Sequence, residues 1–402
     1  MDARTRLGRN GRDRVEERGG ETAGYFWIRL TLWALLVFMT VSPTGPVRGG
    51  DPTGFRSITG PCRFQFPRDH GAHPGFRTEW WYYTGNLVAS TGERFGFQLT
   101  FFRRQLRPGT SNRDWPDPAS AWRTNQIFLA HAALTDLSRK QHFMAEKVRR
   151  ESLGMAGAVT DGRGTQVYLQ PWAATITPKA HTLTMAAPAF GLELNLVPSK
   201  GPVAHGERGY SRKGSLPEQA SCYYSFPRLK VSGRVRVREN AFSVTGMGWM
   251  DHEFSTAPLA KDITGWDWFS IQLDDGRELM LYFLRRADGG LHAASSGSLV
   301  DAQGRVVHLA LSAFKTRITR RWTSPTTGAV YPLGWEIELP DQGLKLKLAA
   351  CLDGQEMVTT GSTGVTYWEG CIGVEGQAHG APLKGKGYME LTGYADRYAP
   401  PL

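Results

Sequence analysis

Period-two alternation of apolar and polar residues recurs along this chain and limits what it can fold into. Ten segments between residues 80 and 350 carry the alternation or are rich in β-branched and aromatic residues, among them RFGFQLTFFRR, GLELNLVP, WDWFSIQL and LKLKLAA. The Asp-Gly step in LDDGREL marks a tight hairpin turn. No segment of a dozen residues has convincing helical periodicity. The pattern predicts an all-β protein of antiparallel strands arranged as barrels or sandwiches.

The length of the chain favours two such domains. Its 402 residues are more than one hydrophobic core usually supports. We expect residues 1–50 to be a basic flank with a targeting segment, 51–255 to form a first barrel domain and 256–402 a second. The boundary is placed after GMGWMDHEF, and it would fall later if the hairpin at 266–286 belonged to the first half.

The N-terminal residues have the pattern of an export signal. A basic run, MDARTRLGRNGRDRVEER, precedes an uncharged apolar stretch from Leu30 to Val41. About a dozen apolar residues suits a signal peptide, whereas a membrane-spanning helix needs about 20. A signal peptide is therefore the preferred interpretation, and an uncleaved membrane anchor is the alternative. Both predict a body outside the cytoplasm, either periplasmic or secreted.

The net charge of +11 could indicate an anionic partner. Outside the N-terminal run the arginines are scattered, and no nucleic-acid-binding motif accompanies them. We therefore expect no nucleic-acid partner and attribute the charge to solubility and the basic flank.

Four cysteines, Cys62, Cys222, Cys351 and Cys371, lack the close spacing of a zinc or thioredoxin motif. In an oxidising compartment they permit two disulfides with three possible connectivities. Cys351 with Cys371 is the most plausible local pair, because both stand in neighbouring strand-like segments. Four buried free thiols are the alternative.

Six motifs occur in one order along residues 60–397: FPRDHGAHPGFRTEWWYYTGNL, GYSRKG, CYYSFPRL, WMDHEFS, GWDWFSIQL and YWEGCIGVEG with GYMELTGY. Together they resemble the carotenoid 1,2-hydratase-like family and its AttH-type, lipocalin-like secreted relatives, which are often labelled secreted hydrolases. The resemblance implies two consecutive lipocalin-like β-barrel domains. It also implies a lyase that adds water to a terminal isoprenoid double bond without a metal or redox cofactor, or a related polyene cyclase.

Such chemistry needs a carboxylic acid that stays protonated, aromatic walls and a group that holds water. Burial in an apolar pocket raises the pKa of a carboxyl group, and aromatic faces stabilise a carbocation. Asp251 stands where the resemblance places the proton-donating aspartate. In a regular strand Asp251 and Glu253 face one side and His252 the other, so Asp251 and His252 cannot both point into one barrel. Glu79 is a second candidate, as base or water-holder, or in an ion pair with Arg77 or Arg103.

The catalytic candidates are therefore Asp251, His252 and Glu79. The pocket candidates share aromatic or charged character and proximity to these motifs: Trp80, Trp81, Tyr83, Tyr210, Arg212, Lys213, Tyr224, Trp249, Glu253, Trp266 and Trp268. Of these, Tyr210, Arg212 and Lys213 are expected in a loop that closes a barrel mouth.

Other chemistries find little support in the sequence. The histidines have no metal-site spacing, so no metal is expected. A nucleophile elbow of the type G-x-S-x-G is absent. Two hypotheses remain: a cofactor-independent enzyme acting on a hydrophobic unsaturated small molecule, and a secreted lipocalin-like carrier of a hydrophobic ligand.

Overall fold

The computed structural model describes residues 54–108, 120–257 and 259–395, which belong to one compact unit, Pro46–Leu402. The targeting segment expected at residues 1–50 lies outside the described residues. Strands dominate the described chain, with three short 3-10 helices at Arg68–His70, Leu311–Ala313 and Pro340–Gln342. Among these residues, none forms a helix with the length and apolar character needed to span a membrane. The prediction of an all-β fold is confirmed.

The first sheet has thirteen strands and curves into a nearly closed barrel. Its strand order is β4-β3-β2-β1-β13-β12-β9-β8-β7-β6-β5, with β10 and β11 beside β12. The strands are β1 Thr78–Ala89, β2 Arg94–Gln105, β3 Gln126–Asp136, β4 Gln141–Arg150, β5 Ala156–Asp161, β6 Gly164–Leu169, β7 Trp172–Ile176, β8 His181–Ala186, β9 Phe190–Pro198, β10 Val203–Ala204, β11 Tyr210–Arg212, β12 Ala220–Val237 and β13 Asn240–Ser255.

The second sheet has ten strands and forms a half-barrel in the order β17-β16-β15-β14-β23-β22-β20-β19-β18, with β21 beside β22. The strands are β14 Ile263–Leu273, β15 Glu278–Arg286, β16 Ser296–Val300, β17 Val306–Ala310, β18 Lys315–Thr323, β19 Val330–Leu339, β20 Leu344–Ala350, β21 Glu356–Thr359, β22 Val365–Ala378 and β23 Ala381–Thr392. Two barrel-like domains follow one another, and the hairpin of β14 and β15 belongs to the second.

Each domain has its own apolar core, and a third buried cluster lies between them. Tyr82, Tyr223 and Trp249 of the first domain pack there with Trp268 and Tyr388 of the second. At one point the two sheets approach so closely that a Cβ added to Gly96 would lie 2.8 Å from the Cys371 sulfur. The domains therefore share a packed, aromatic-rich interface.

The disulfide differs from the expected local pair. Cys62, which precedes β1, is bonded to Cys222 of β12, 160 residues further along the chain. Cys351 and Cys371 are free thiols, although the Cys351 amide donates a hydrogen bond of 3.0 Å to the Cys371 carbonyl. The pairing of Cys351 with Cys371 is therefore wrong for this structure. The disulfide fastens the segment before β1 to the barrel, a contact that sequence proximity could not reveal.

Candidate active site

Strand β13 separates two groups of polar residues, because successive side chains point to opposite faces. Met250 packs in the core of the first barrel, and Trp249 packs in the cluster between the domains. His252 accordingly faces the barrel interior, whereas Asp251 and Glu253 face the second domain. The alternation expected from the sequence therefore assigns His252 and Asp251 to different sites.

The interior cluster, which we define as His70, His73, Glu79, Arg103, Tyr224 and His252, is organised around Glu79. Oε2 of Glu79 accepts a hydrogen bond of 2.7 Å from Arg103 Nε. Oε1 lies 2.6 Å from His73 Nδ1 and 2.8 Å from His252 Nε2. Burial alone would raise the pKa of Glu79, but Arg103 and His73 hold it well below its usual range. Glu79 is thus a buried carboxylate whose charge is balanced by the neighbouring Arg103.

Hydrogen bonds continue from Glu79 towards the mouth of the first barrel. His252 Nδ1 is hydrogen-bonded to the Tyr224 hydroxyl at 2.9 Å, which is hydrogen-bonded to His70 Nδ1 at 2.7 Å. His70 lines a cavity of about 510 Å³ at the barrel mouth together with Phe66 and Phe226. The ring of Trp81 stacks on His252 with centroids 4.8 Å apart. Glu79, His252, Trp81 and Tyr224 therefore lie in one connected cluster, whereas Asp251, which the sequence analysis placed in the same site, lies apart from them.

His73, Glu79 and His252 also place donor atoms within 4.8 Å of one another, close enough to surround a metal ion. Each of these atoms is, however, already engaged in a hydrogen bond inside the cluster. Burial would lower the pKa of His73, but the charges of Glu79 and Asp69 raise it to about 9. A cationic His73 and the fixed charge of Arg103 oppose a further cation here. The contacts favour an internally neutralised ion cluster over a metal site.

The interface cluster, which we define as Tyr82, Tyr223, Ser225, Trp249, Asp251, Trp268, Glu369 and Glu390, contains the predicted acid. Asp251 Oδ1 accepts hydrogen bonds from Trp249 Nε1 at 2.6 Å and from the Ser225 hydroxyl, and Oδ2 accepts one from the Tyr223 hydroxyl at 2.9 Å. Burial raises the pKa of Asp251 to about 7 in spite of these three donors. Asp251 therefore exchanges a proton near neutral pH.

Aromatic rings of both domains surround Asp251. Trp268 Nε1 donates a hydrogen bond of 3.1 Å to the Tyr223 hydroxyl. The Trp268 ring meets Tyr82 edge-on with centroids 5.1 Å apart, and Trp249 with centroids 6.2 Å apart. Trp80 and Trp266 are partly buried against the same cluster. The interface thus combines an acid with aromatic walls, the two features expected from the sequence for acid-initiated hydration.

Lys213 and Glu253 form an ion pair beside this cluster. Lys213 Nζ lies 3.0 Å from Glu253 Oε1 and 4.1 Å from the centre of the Tyr282 ring. Burial lowers the pKa of Lys213, but Glu253 outweighs that effect and the net pKa is raised. The pair therefore adds no unbalanced charge near Asp251.

Three of the predicted pocket residues lie elsewhere. Tyr210 directs its hydroxyl to the Pro217 carbonyl at 2.6 Å, and the exposed Arg212 donates to the Ser215 carbonyl at 2.9 Å. Tyr83 is hydrogen-bonded to His181 Nδ1 at 3.1 Å inside the first barrel. Tyr210 and Arg212 belong to strand β11 and not to the expected loop, and of the three predicted residues in the GYSRKG motif only Lys213 lies next to the interface cluster.

The matching family model is AttH-like and spans residues 57–394. The chain belongs to the AttH-like family. An AttH protein from Nitrosomonas europaea is 34% identical, with a TM-score of 0.73 over 84% of this chain and 99% of that one. Kievitone hydratase from Nectria haematococca has 15% identity and a TM-score of 0.60, covering 86% of this chain and 99% of that one. CghA has 11% identity and a TM-score of 0.51, covering 80% and 90%. Among curated proteins, none matches this sequence.

The similarities to kievitone hydratase and CghA show only that the fold is shared with this AttH-like protein, because both sequence identities are low. The site itself includes residues that sequence reasoning did not select. Tyr223 and Ser225 stand in CYYSFPRL, and Glu369 and Glu390 stand in YWEGC and GYMEL, all within the motifs that carry the family resemblance. The available signal was an acidic residue in an apolar, alternating strand, where an ionised side chain is unfavourable.

Proposed function

We propose that this AttH-like protein is a cofactor-independent lyase of the hydratase type, or a related cyclase, with Asp251 as its proton donor. Its substrate would be a hydrophobic, unsaturated small molecule of isoprenoid or polyene type. One observation carries the proposal: the raised pKa of Asp251, about 7, in a buried site that aromatic side chains of both domains surround. Such a carboxyl group keeps a proton to donate at neutral pH.

The proposed reaction begins when Asp251 protonates the less substituted carbon of the double bond. A tertiary cation then forms on the neighbouring carbon. Aromatic faces stabilise a cation by about 0.5–2 kcal/mol for each well-placed ring, and Trp249, Trp268 and Tyr82 are the rings beside Asp251. Capture of the cation by water gives an alcohol, whereas loss of a proton or attack by a second double bond gives an isomer or a ring.

The family and its structural neighbours support the reaction class. Kievitone hydratase, by its name a hydratase, shares the two-domain fold of this chain. Because that likeness rests on fold alone, the argument from chemistry has to come from Asp251 and its surroundings.

A carrier of a hydrophobic ligand is the second candidate, and an open groove favours it. The groove has a volume of about 990 Å³ and lies along both sheets, with Met247 of the first domain and Trp335, Leu348 and Val374 of the second among its lining residues. Apolar clefts of this size suit drug-sized ligands. A carrier would bind its ligand equally well with Asp251 replaced by Asn.

We propose in addition that the body of the protein lies outside the cytoplasm, with a cleaved signal peptide or an N-terminal membrane anchor. The bond between Cys62 and Cys222 supports this location, because stable disulfides are typical of oxidising compartments. A fusion of residues 1–60 to a reporter that is active only after export tests the proposal. An inactive reporter would refute it.

The enzymatic proposal is tested by incubating the full chain with a panel of acyclic isoprenoids and conjugated polyenes in ¹⁸O-labelled water. Mass spectrometry then detects labelled alcohols and isomerised or cyclised products. Asp251→Asn should lower turnover by about 10²–10⁴, the usual contribution of a general acid. Asp267→Asn is the matched control, since Asp267 is a buried carboxyl group paired with Arg285 and Tyr394 instead. Unchanged turnover per folded molecule of Asp251→Asn would overturn the assignment.

A further inference from the structure

The second domain places two carboxyl groups on the face that meets Asp251. Glu369 of β22 lies directly opposite Glu390 of β23, and Glu390 lies opposite Trp268 of β14. Residues opposite each other on neighbouring strands share one face of a sheet. Cys371 and Tyr388, two positions from the respective glutamates, pack in the interface cluster. Glu369 and Glu390 therefore face the first domain.

Two sets of contacts connect these glutamates with Asp251. The Tyr82 hydroxyl donates a hydrogen bond of 2.7 Å to Glu369 Oε1, and Tyr82 lies opposite Asp251 in the pairing of β1 with β13. Trp268, the strand neighbour of Glu390, donates to the Tyr223 hydroxyl, which donates to Asp251. The acid and the glutamates thus lie in the same interface, on opposite sheets.

The two glutamates differ in their access to water. Glu369 is fully buried, and its Oε2 has no hydrogen-bond partner in the described part of the chain. Glu390 is surrounded by protein but keeps part of its surface accessible. A base that activates water must reach a water molecule, which favours Glu390 over Glu369.

Burial and, to a lesser extent, like charges determine the protonation of these groups. Burial raises the pKa of Glu390 to about 7 against the effect of a hydrogen bond with Trp266, and the charges of Asp251 and Glu253 act in the same direction as burial. Burial and the neighbouring Glu390 also raise the pKa of Glu369, well above its usual range. Carboxylates this close cannot all ionise together. At neutral pH, Glu369 stays protonated, while Asp251 and Glu390 compete for a proton.

We propose that Glu390 is the base that accepts the proton of the attacking water in the reaction proposed above. This assignment rests on the proposed function. Asp251 transfers its proton to the alkene, whose π electrons form the new C–H bond. A lone pair of water forms the C–O bond to the cation, and the Glu390 carboxylate takes a proton from that water. Proton return from Glu390 to Asp251 completes a net addition of water.

Glu253 is the competing base, but its geometry is less suitable. Its Oε1 contacts Lys213 and the Ser221 hydroxyl, so one of its two oxygens is committed to an ion pair. It also lies on the same strand face as Asp251, whereas Glu390 belongs to the opposite sheet. A substrate held between the sheets would receive its proton from one side and water from the other.

Deuterium labelling distinguishes protonation of the alkene from capture of the cation by water. An isoprenoid from the panel is incubated in D₂O, and both the hydrated product and deuterium in the recovered alkene are measured. Reversible protonation by Asp251 labels the alkene without any capture by water. Glu390→Gln should lower hydration at least about 10²-fold while exchange stays within a few-fold of wild type. Asp251→Asn should lose both, Asp267→Asn should keep both, and Glu390→Asp should restore part of the hydration.

The possible outcomes separate the two proposals. Hydration by Glu390→Gln at the wild-type rate, or a parallel loss of exchange and hydration in that folded variant, would overturn the role of Glu390 and leave Asp251 in place. A wild-type protein that neither hydrates nor exchanges any probe would refute the proposed function, and the base assignment with it.

A second measurement needs no substrate. Infrared difference spectra follow the C=O stretch of protonated carboxyl groups as the pH is changed. Glu390→Gln should remove one ionisation near neutral pH and lower the midpoint of the remaining Asp251 ionisation, since a negative neighbour is lost. An unchanged Asp251 midpoint would show that the groups are not coupled and would overturn the proposal.

Discussion

Glu79 of β1 and Asp251 of β13 are buried carboxyl groups on opposite faces of the first sheet, and they differ in protonation. Glu79 receives hydrogen bonds from Arg103 and two histidines, and its pKa is held low. Asp251 receives three neutral donors, and its pKa is raised to about 7. Both side chains are out of water, so burial alone does not explain the difference between them. For this pair the difference comes from Arg103, whose cationic Nε lies 2.7 Å from Glu79, whereas the hydrogen-bond donors to Asp251 are neutral.

This difference indicates which carboxyl group suits a structural role and which suits proton transfer. A carboxylate with a permanent partner is costly to disturb and holds no proton at neutral pH. A carboxyl group without a cation can give and take one, which is the property that active sites require. The interior cluster therefore suits a structural role, and the interface cluster suits proton transfer.

The largest expected effect is that of removing the cation from the interior cluster. Arg103→Met leaves Glu79 buried without its main counter-charge, and we expect a loss of about 3–5 kcal/mol in the free energy of unfolding. Denaturant titration measures it. Arg317→Met is the control, because Arg317 pairs with Glu336 at the surface and should cost less than about 1 kcal/mol. A small loss for Arg103→Met would remove the contrast between the clusters.

Asp251→Asn should change the pH dependence of stability. The pKa of Asp251 is about 7 in the folded protein and near 3.8 in the unfolded chain. Between these values the folded state holds a proton that the unfolded state has lost, so wild-type stability falls as pH rises. Relative to Asn, wild type should lose about 3 kcal/mol between pH 4 and 7, the scale set by the pKa shift.

Thermal melts of wild type and Asp251→Asn between pH 4 and 7 test whether the relative stability of wild type falls as the pH rises. Asp69→Asn is the control: Arg68 and His73 keep the pKa of Asp69 low against the effect of burial, so its contribution should stay constant between about pH 5 and 7. A wild-type stability that rises relative to that of Asp251→Asn as the pH increases would contradict the raised pKa.

His73→Gln tests whether His73 in the interior cluster carries a positive charge that is lost at alkaline pH. The pKa of His73 is raised to about 9 from 6.5, so its stabilising charge is fully present below about pH 6.5 and is lost as pH rises through 9. We expect wild type to exceed the variant by about 3 kcal/mol near pH 6 and to converge with it above pH 9. Thermal denaturation at several pH values measures this, and divergence at high pH would be evidence against a cationic His73.

Tyr82→Phe is expected to have the smallest effect. It removes the hydrogen bond to Glu369 across the domain interface and should cost about 1–2 kcal/mol. Tyr210→Phe provides the comparison, since the Tyr210 hydroxyl bonds a carbonyl at the exposed surface and should be nearly neutral. If both changes lower the free energy of unfolding equally in urea melts, the hydrogen bond across the interface contributes no more stability than a hydrogen bond at the surface.

The fold was largely predictable because alternation is a local property of sequence. The same property predicted that Asp251 and His252 would point apart, and the Glu79–Arg103 contact was one of two ion pairs considered. Which face of β13 meets the second domain depends on packing between distant segments. Spacing along the chain carries no such information, so the partnership of Asp251 with Glu369 and Glu390 was not predicted.

The GYSRKG motif shows the same limit. Its three candidates are neighbours in sequence, but strand geometry directs Lys213 towards Glu253 while Arg212 stays at the surface. The disulfide shows a related limit: Cys351 and Cys371 are neighbours in the structure, as expected, yet the bond joins Cys62 and Cys222. Residues far apart in a β-rich chain can be in contact, and spacing along the sequence does not identify them.

Two central strands of the first barrel come from its two ends, since Thr78 of β1 lies opposite Ser255 of β13. A chain synthesised from its N-terminus therefore completes β1 and β2 long before β13 exists. Until then one edge of β1 is open, and open edges invite pairing with other chains. The Cys62–Cys222 bond closes most of this long loop and lowers the entropy cost of bringing the strands together. Refolding without that bond should be slower and more prone to aggregation, with the pairing of β1 and β13 among the last steps.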